Sequence, residues 1–271
     1  MIETTVFEEI TQIRMSREID GRALYWVAAY LVDGLLIDTG CSYTSKELLS
    51  FLAGKNVRLA VNTHFHEDHV GGNRDIIDAL GIPIYAHLES IPLIGKRPDL
   101  FPYQETVWGY PAPSVVAPVT EIIRTEHCSF MVMETPGHSA GHIALVEPDR
   151  GWFFTGDIFS REKPKFIRPE ENIGRLIGSM KRIMEVPCGR HVLFTSVGKI
   201  VVDGRAALGS CSDYLAGLAA DARRLNGEGR PPEEIMKSLF GEEHDFARLT
   251  NGQYTTLNLV RSLLEVNEAG F

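Results

Sequence analysis

The sequence predicts an α+β fold with two sheets and a helical C-terminal region, and three features carry that prediction. Between Tyr25 and Asn62, two β-rich apolar stretches flank a segment of helical spacing. Between Glu121 and Thr155, four short strand-like runs follow one another, each bounded by Gly, Pro or polar turns, which implies a second sheet. From Cys211 onward the apolar spacing is helical to the end. At 271 residues the chain exceeds one average domain yet suits a single large unit with an ample core. The expectation is a body over residues 1–204 with a helical extension, 205–271, packed on it.

Taken in order, Tyr25 to Ile37 is broken by Asp33-Gly34, a strong signal for a two-residue hairpin turn, and ends in the turn-like Asp38-Thr39-Gly40. Thr44 to Leu52 is helical with Thr44 or Ser45 as cap, and Val57 to Asn62 returns to strand. Gly71-Gly72 free the loop that follows, Asn73 is placed to cap the next helix, and Ile76, Ile77 and Leu80 mark its apolar face. Ile82 to Ala86 is a short strand. Ile91 to Pro118, with six prolines and the aromatics Phe101, Tyr103, Trp108 and Tyr110, reads as a long loop too apolar to be mere linker. The second sheet comprises Glu121 to Arg124, Phe130 to Glu134, Ile143 to Val146 and Gly151 to Thr155. Asn172 to Met184 reads as helix, and Val192 to Phe194 and Ile200 to Val202 as strands. Ser212 to Leu225, Pro232 to Leu239 and Thr255 to Leu264 are amphipathic helices whose apolar faces cover the body, pair with another subunit or shape a pocket mouth.

Charge and cysteine usage narrow the function classes. The net charge of -9 comes from scattered Asp and Glu, and no Lys/Arg block suits a phosphate backbone, so no nucleic-acid partner is expected. Four Cys, at 41, 128, 188 and 211, show no CxxC spacing and read as reduced structural thiols. The start, Met1-Ile2-Glu3-Thr4-Thr5, is acidic and polar, and no apolar stretch reaches the ~20 residues that span a bilayer. The expectation is a soluble, cytoplasmic protein with no membrane partner.

The densest chemistry lies in His64-Phe65-His66-Glu67-Asp68-His69, which follows the apolar run Val57 to Val61. Imidazole and carboxylate are what Zn²⁺, Fe²⁺ and Mn²⁺ prefer, and ligand type alone does not choose among them. A purely structural polar turn is the competing reading, and so tight a cluster disfavours it. Three further loops at strand ends carry candidates: His138 in Thr135-Pro136-Gly137-His138-Ser139-Ala140-Gly141-His142, Asp157 in Thr155-Gly156-Asp157, and the turn from Ser196 to Lys199. Side chains at the ends of neighbouring strands converge on one point while the sheet holds their loops rigid.

On these motifs the chain resembles the metallo-β-lactamase-fold hydrolases, whose HxHxDH motif, later His in a PGH turn and Asp in a GD turn match over roughly Tyr25 to Gly204. The resemblance, closest in kind to glyoxalase-II and lactonase types, implies a four-layer αβ/βα sandwich of two mixed sheets with metals at one edge. It implies that His64, His66 and His138 bind a first metal, Asp68 and His69 a second, and that Asp157 bridges them. Zinc is the first expectation for one or both ions, with iron or manganese as alternatives. One departure stands out: where the family supplies a last His, Leu193-Phe194-Thr195-Ser196-Val197-Gly198-Lys199 places Val197. The second site then relies on Asp68, His69 and Asp157, borrows His191, or is weak or absent.

A divalent cation lowers the pKa of its bound water toward ~7, making hydroxide available at neutral pH to attack an ester, thioester, lactone or phosphoester. Asp68 is the expected catalytic residue, orienting the nucleophile or moving its proton to the leaving group. The expected function is a metal-dependent hydrolase of a small-molecule substrate, β-lactams being disfavoured by the lack of a secretion signal. Two other classes compete: a mononuclear-iron oxidoreductase of the persulfide dioxygenase type, and a catalytically silent binding protein. Around the site, His142 reads as a structural histidine, and Asp38 as either an orienting partner of the ligand loop or an Asx-turn. His87, His127 and His244 read as lying outside the site. Tyr103, Trp108 and Tyr110 form a substrate wall or a homodimer contact. Arg161, Lys163, Lys165 and Arg168 form a solvated basic turn or a receiver for a substrate anion.

Overall fold

A computed structural model describes residues 1–266. The chain opens with strands β1 (Ile2–Phe7) and β2 (Ile10–Met15), an antiparallel pair, followed by a two-stranded ribbon of β3 (Glu18–Ile19) and β4 (Arg22–Ala23). The sequence reading assigned no strand before Tyr25, because β1 is a mostly exposed edge strand whose polar residues mask its alternation. Strands β5 (Val27–Val32) and β6 (Leu35–Ile37) form the expected hairpin. Its turn has φ of 47° at Asp33 and 81° at Gly34, both in the left-handed region that a tight primed turn requires.

Helix α1 (Ser45–Leu52), strand β7 (Leu59–Val61), helix α2 (Asn73–Leu80) and strand β8 (Ile84–Ala86) come next. The stretch read as one long loop instead contains helices α3 (Ile91–Ile94) and α4 (Pro102–Val107) and strand β9 (Ala117–Pro118). Two of the six prolines, Pro92 and Pro102, sit in the first turns of α3 and α4, where a missing N–H costs nothing. Of the expected caps, Thr44 holds the N-cap position of α1, whereas Asn73 does not cap α2. Thr44 makes no side-chain cap bond and its hydroxyl donates to Cys41 O (3.2 Å). Asn73 is the first helical residue of α2, and its amide bonds Asn62 across the sheet end.

Together these strands make a seven-stranded sheet of order β1-β2-β5-β6-β7-β8-β9, antiparallel up to β6 and parallel beyond it. The second sheet contains β10 (Ile122–Arg124), β11 (Ser129–Glu134), β12 (Ile143–Glu147), β13 (Trp152–Gly156), β14 (Val192–Thr195) and β15 (Ile200–Val201) in that order, with only the β13–β14 pair parallel. Helix α5 (Ile173–Glu185) crosses between β13 and β14. Its cap is Asn172, whose side chain accepts from Arg175 N at 2.9 Å. Helix α6 (Gly204–Gly227) begins seven residues before the Cys211 expected from spacing, because Asp203 caps it by accepting from Ala206 N. Helices α7 (Pro232–Phe240), α8 (Phe246–Leu249) and α9 (Thr256–Leu264) complete the described chain.

Three apolar clusters define four layers. One fills the space between the sheets with Tyr30, Ile37, Phe130, Leu145, Phe154 and Phe194. A second lies between the first sheet and α1 and α2, with Leu48, Leu52 and Ile76. The third joins the outer face of the second sheet to α5, α6, α7 and α9 through residues such as Phe153, Ile177, Leu215, Ile235 and Leu263. The C-terminal helices therefore share one core with α5. Tyr30 Oη donates to Thr195 O (2.6 Å) across the sandwich, and Ile143 N donates to Thr63 O (2.8 Å) where the sheets meet.

Those two bonds bring the ends of β6, β7, β13 and β14 and the β11–β12 loop to one edge. Gly71 is what lets the loop after β7 lie so close. A Cβ there would meet Ser42 N at 2.3 Å and the Cys41 carbonyl carbon at 2.4 Å, both backbone atoms that cannot turn aside. Gly71→Ala is therefore expected to cost about 3 kcal/mol or more, measured by urea unfolding, and wild-type stability in that variant would refute the close approach.

Candidate metal centre

The loop after β7 carries His64 and His66, the β11–β12 loop carries His138, and the three rings meet. His66 Nδ1 lies 2.9 Å from His64 Nε2 and 3.0 Å from His138 Nε2, and all three residues are buried. Beside them His69 Nε2 lies 3.4 Å from Asp157 Oδ1 and 3.6 Å from Asp68 Oδ2. His138 Nε2 is 3.2 Å from Asp157 Oδ2, so Asp157 touches both groups. His64, His66 and His138 form one potential ligand set, and His64, His69 and Asp157 form another.

The outer partners of these rings fix which nitrogen faces inward. Asp38 accepts from Thr63 N (2.7 Å), from the Thr63 hydroxyl (2.8 Å) and from His69 Nδ1 (2.8 Å). With its proton given to Asp38, the Thr63 oxygen is left to accept from His64 Nδ1 at 3.1 Å. His138 Nδ1 donates to Glu171 Oε2 at 3.2 Å. His64, His69 and His138 thus direct Nδ1 outward and turn Nε2 toward the same space, whereas His66 turns Nδ1 inward and places Nε2 3.3 Å from Arg168 Nη1. His69 Nε2 is buried with no hydrogen-bond partner. Abutting lone pairs and an orphaned buried nitrogen are unfavourable by themselves and fit a bound divalent cation.

Charge divides the rings: His69 and His138 are desolvated, yet Asp68, Asp38 and Asp157 hold His69 well above the ordinary imidazole range, and Asp157 and Glu171 raise His138. Burial drives His64 and His66 well below the ordinary imidazole range, so both stay neutral. Asp157 is desolvated, yet His138 and His69 hold it well below the usual carboxylate range. Burial pushes Asp68 up to about 6, against the opposing pull of His69.

Every residue expected at the metals is brought to this edge: His64, His66, Asp68, His69, His138 and Asp157. His142 stays out as a ligand, because its Nδ1 is tied to Thr135 Oγ1 (2.8 Å) and its Nε2 accepts from Asp157 N (3.1 Å). Asp38 resolves as the orienting partner. His191 is no substitute ligand; it precedes β14, at the strand end opposite the site, and stacks on Phe153 with centroids 4.6 Å apart. Where the last His is wanting, the Ser196 hydroxyl donates to Asp157 Oδ1, and Val197 lines the adjoining cavity.

The basic segment divides. Lys163 and Lys165 are exposed, whereas Arg168 is buried, with Nε donating to Tyr254 Oη (2.9 Å) and Nη2 3.7 Å from Glu67 Oε1. Tyr103 and Trp108 line the cavity, while Tyr110 lies outside it under the guanidinium of Arg97. Glu67 anchors this wall by accepting from Gln104 Nε2 at 2.7 Å. Sequence reasoning missed Glu171 and Ser196 as partners of His138 and Asp157; for Glu171, only its place just before the Asn172 cap was a usable signal.

Comparison with known proteins agrees with this geometry. The family model of the metallo-β-lactamase superfamily matches residues 27–210, and the chain belongs to that superfamily. It is 31% identical over 139 residues, 51% of this chain and 62% of the relative, to the probable metallo-hydrolase YybB of Bacillus subtilis. Over 149 residues it is 26% identical to a hydroxyacylglutathione hydrolase of Pelagibacter ubique, covering 53% of this chain and 54% of that one. The chain thus spans less than two thirds of either curated relative. Among solved structures, TTHA1623 in a di-iron-bound form is 28% identical with a TM-score of 0.57, over 69% of this chain and 94% of that one. Among the described residues, no helix is long and apolar enough to cross a membrane.

Proposed function

We propose that this protein is a metal-dependent hydrolase that cleaves a carboxylic ester, thioester or lactone bond of a small molecule. The observation that carries the reading is the approach of His64 Nε2 and His138 Nε2 to within 3.0 Å of His66 Nδ1, beside the unpartnered His69 Nε2. His64, His66 and His138 would hold one cation, and His69, Asp68 and Asp157 a second, weaker one that lacks the imidazole replaced at Val197. Zinc suits both sets, and the di-iron form of the solved relative makes iron the next choice. A divalent ion held there supplies Lewis acidity and brings the pKa of water toward ~7.

The chain's own residues do the rest. Asp68 lines the cavity with its carboxylate beside the metal-facing nitrogens, where it orients the attacking water and passes a proton to the leaving group. Asp157, steadied by Ser196 and by the His142 bond to its backbone N, keeps the two ligand sets in register. The wall around Trp108 excludes water from the reacting carbonyl.

Asp68→Ala is expected to leave fold and first-set metal content unchanged and to lower kcat by about 10²–10⁴-fold. Turnover of a p-nitrophenyl ester and an acyl thioester, with circular dichroism and metal content in parallel, checks it. Unchanged kcat would remove Asp68 from the reaction. Wild-type activity that survives exhaustive chelation would overturn the metal-dependent reading itself.

A further inference from the structure

The cavity beside the metal centre is larger and more apolar than cleavage of a small ester requires. It encloses about 750 Å³, the size of a drug-like ligand site, and Asp68, His138 and Asp157 form its floor. Its wall is a continuous series of aromatic rings drawn from four separate parts of the chain. Tyr25 meets Trp108 edge-on at 5.7 Å, Trp108 meets Tyr103 at 6.1 Å, and Tyr103 meets Tyr254 at 6.4 Å. Tyr254 then meets Phe166 at 6.1 Å, and Phe166 meets Phe246 at 5.1 Å. Two polar atoms of this wall, Trp108 Nε1 and Tyr103 Oη, are buried without any hydrogen-bond partner. Leu249 stands at the mouth, 64% exposed.

Arg168, the one buried cation of the lining, is not free to receive a phosphate. Its Nε is spent on Tyr254, and Glu67 and Glu170 lie 3.7 and 3.9 Å from its guanidinium. Arg161, the other cation of the lining, is exposed and lies over the Phe166 ring, so the buried wall holds no free charge and matches an apolar body with an oxygen acceptor better than a strongly anionic one.

We propose that this cavity binds the acyl or aryl part of the substrate, a bulky apolar group of fatty-acyl or bicyclic aromatic size, with the scissile carbonyl at the Asp68–Asp157 floor. The assignment rests on the hydrolase reading, but it can be tested with carboxylic acids that undergo no hydrolysis. Isothermal titration of the metal-loaded full-length protein with acetate, decanoate and 2-naphthoate reads the cavity directly. Full burial of a methylene tightens binding about fourfold, so with half the added chain buried decanoate is expected to bind at least ~100-fold tighter than acetate.

Trp108→Ala is expected to erase at least about tenfold of that preference. Because Trp108 also belongs to the core, Leu249→Ser provides the second variant; it is expected to loosen decanoate several-fold and leave acetate unchanged. Equal affinities for the three acids, or a preference unmoved in both variants, would overturn the proposal. If the acids are discriminated while no ester or thioester is cleaved, the hydrolase reading fails and the apolar site stands. Esters cleaved at rates independent of acyl length, with the acids bound alike, remove the site and leave the hydrolase.

Discussion

His66→Ala is expected to empty the first ligand set and to lower hydrolysis by about 10³-fold or more, because loss of even an outer partner of a ligand costs 10–100-fold in metal affinity. His66 Nδ1 is the atom on which the other two nitrogens converge, so no neighbouring side chain replaces it. The ring lies on a loop held by independent bonds, including Thr39 N to His69 O (2.8 Å) and Gly71 N to Gly40 O (2.8 Å). The variant should therefore fold, as far-ultraviolet circular dichroism would show. A folded His66→Ala protein with wild-type metal content and turnover would show that the three rings do not act as ligands.

Asp38→Ala is expected to damage stability and metal binding together. Its removal strands Thr63 N, the Thr63 hydroxyl and His69 Nδ1, all buried. Each stranded group costs about 1–3 kcal/mol, so a loss of about 3 kcal/mol or more is expected in urea unfolding. The freed His69 loses its enforced tautomer, and affinity at the second ligand set should fall about 10–100-fold in a chelator competition. Asp38→Asn, which keeps one carbonyl acceptor, should lie between the two. Unaltered stability and unaltered metal affinity in Asp38→Ala would mean that the carboxylate is an ordinary turn residue.

How legible each part was in the sequence depends on how local it is. His64, His66, Asp68 and His69 lie in one loop, so their spacing alone announces the chemistry. His138 and Asp157 are separate in sequence and were found through their strand-end turns, which the sheets then bring together. Asp38 stayed open between an orienting partner of the ligand loop and an Asx-turn, because its partners are 25 and 31 residues away, placed by the parallel pairing of Ile37 with Val61. Glu171 and Ser196 were hidden for the same reason; each meets its partner only once α5 and β14 are packed. The aromatic wall runs from Tyr25 to Tyr254, and no window of sequence contains it. The overall two-sheet plan was readable from apolar periodicity. The polar edge strand β1 and the Pro-started helices α3 and α4 were not, since their local signals imitate loop.

Metal analysis of the protein purified without chelator bears most directly on whether His64, His66 and His138 meet at a cation. Wild-type protein is expected to carry about one to two equivalents of a divalent transition metal per chain, the first lost in His66→Ala and the second weakened in Asp38→Ala. Protein that carries none, and takes up none when zinc, iron or manganese is offered, would contradict the metal centre and the hydrolase built on it.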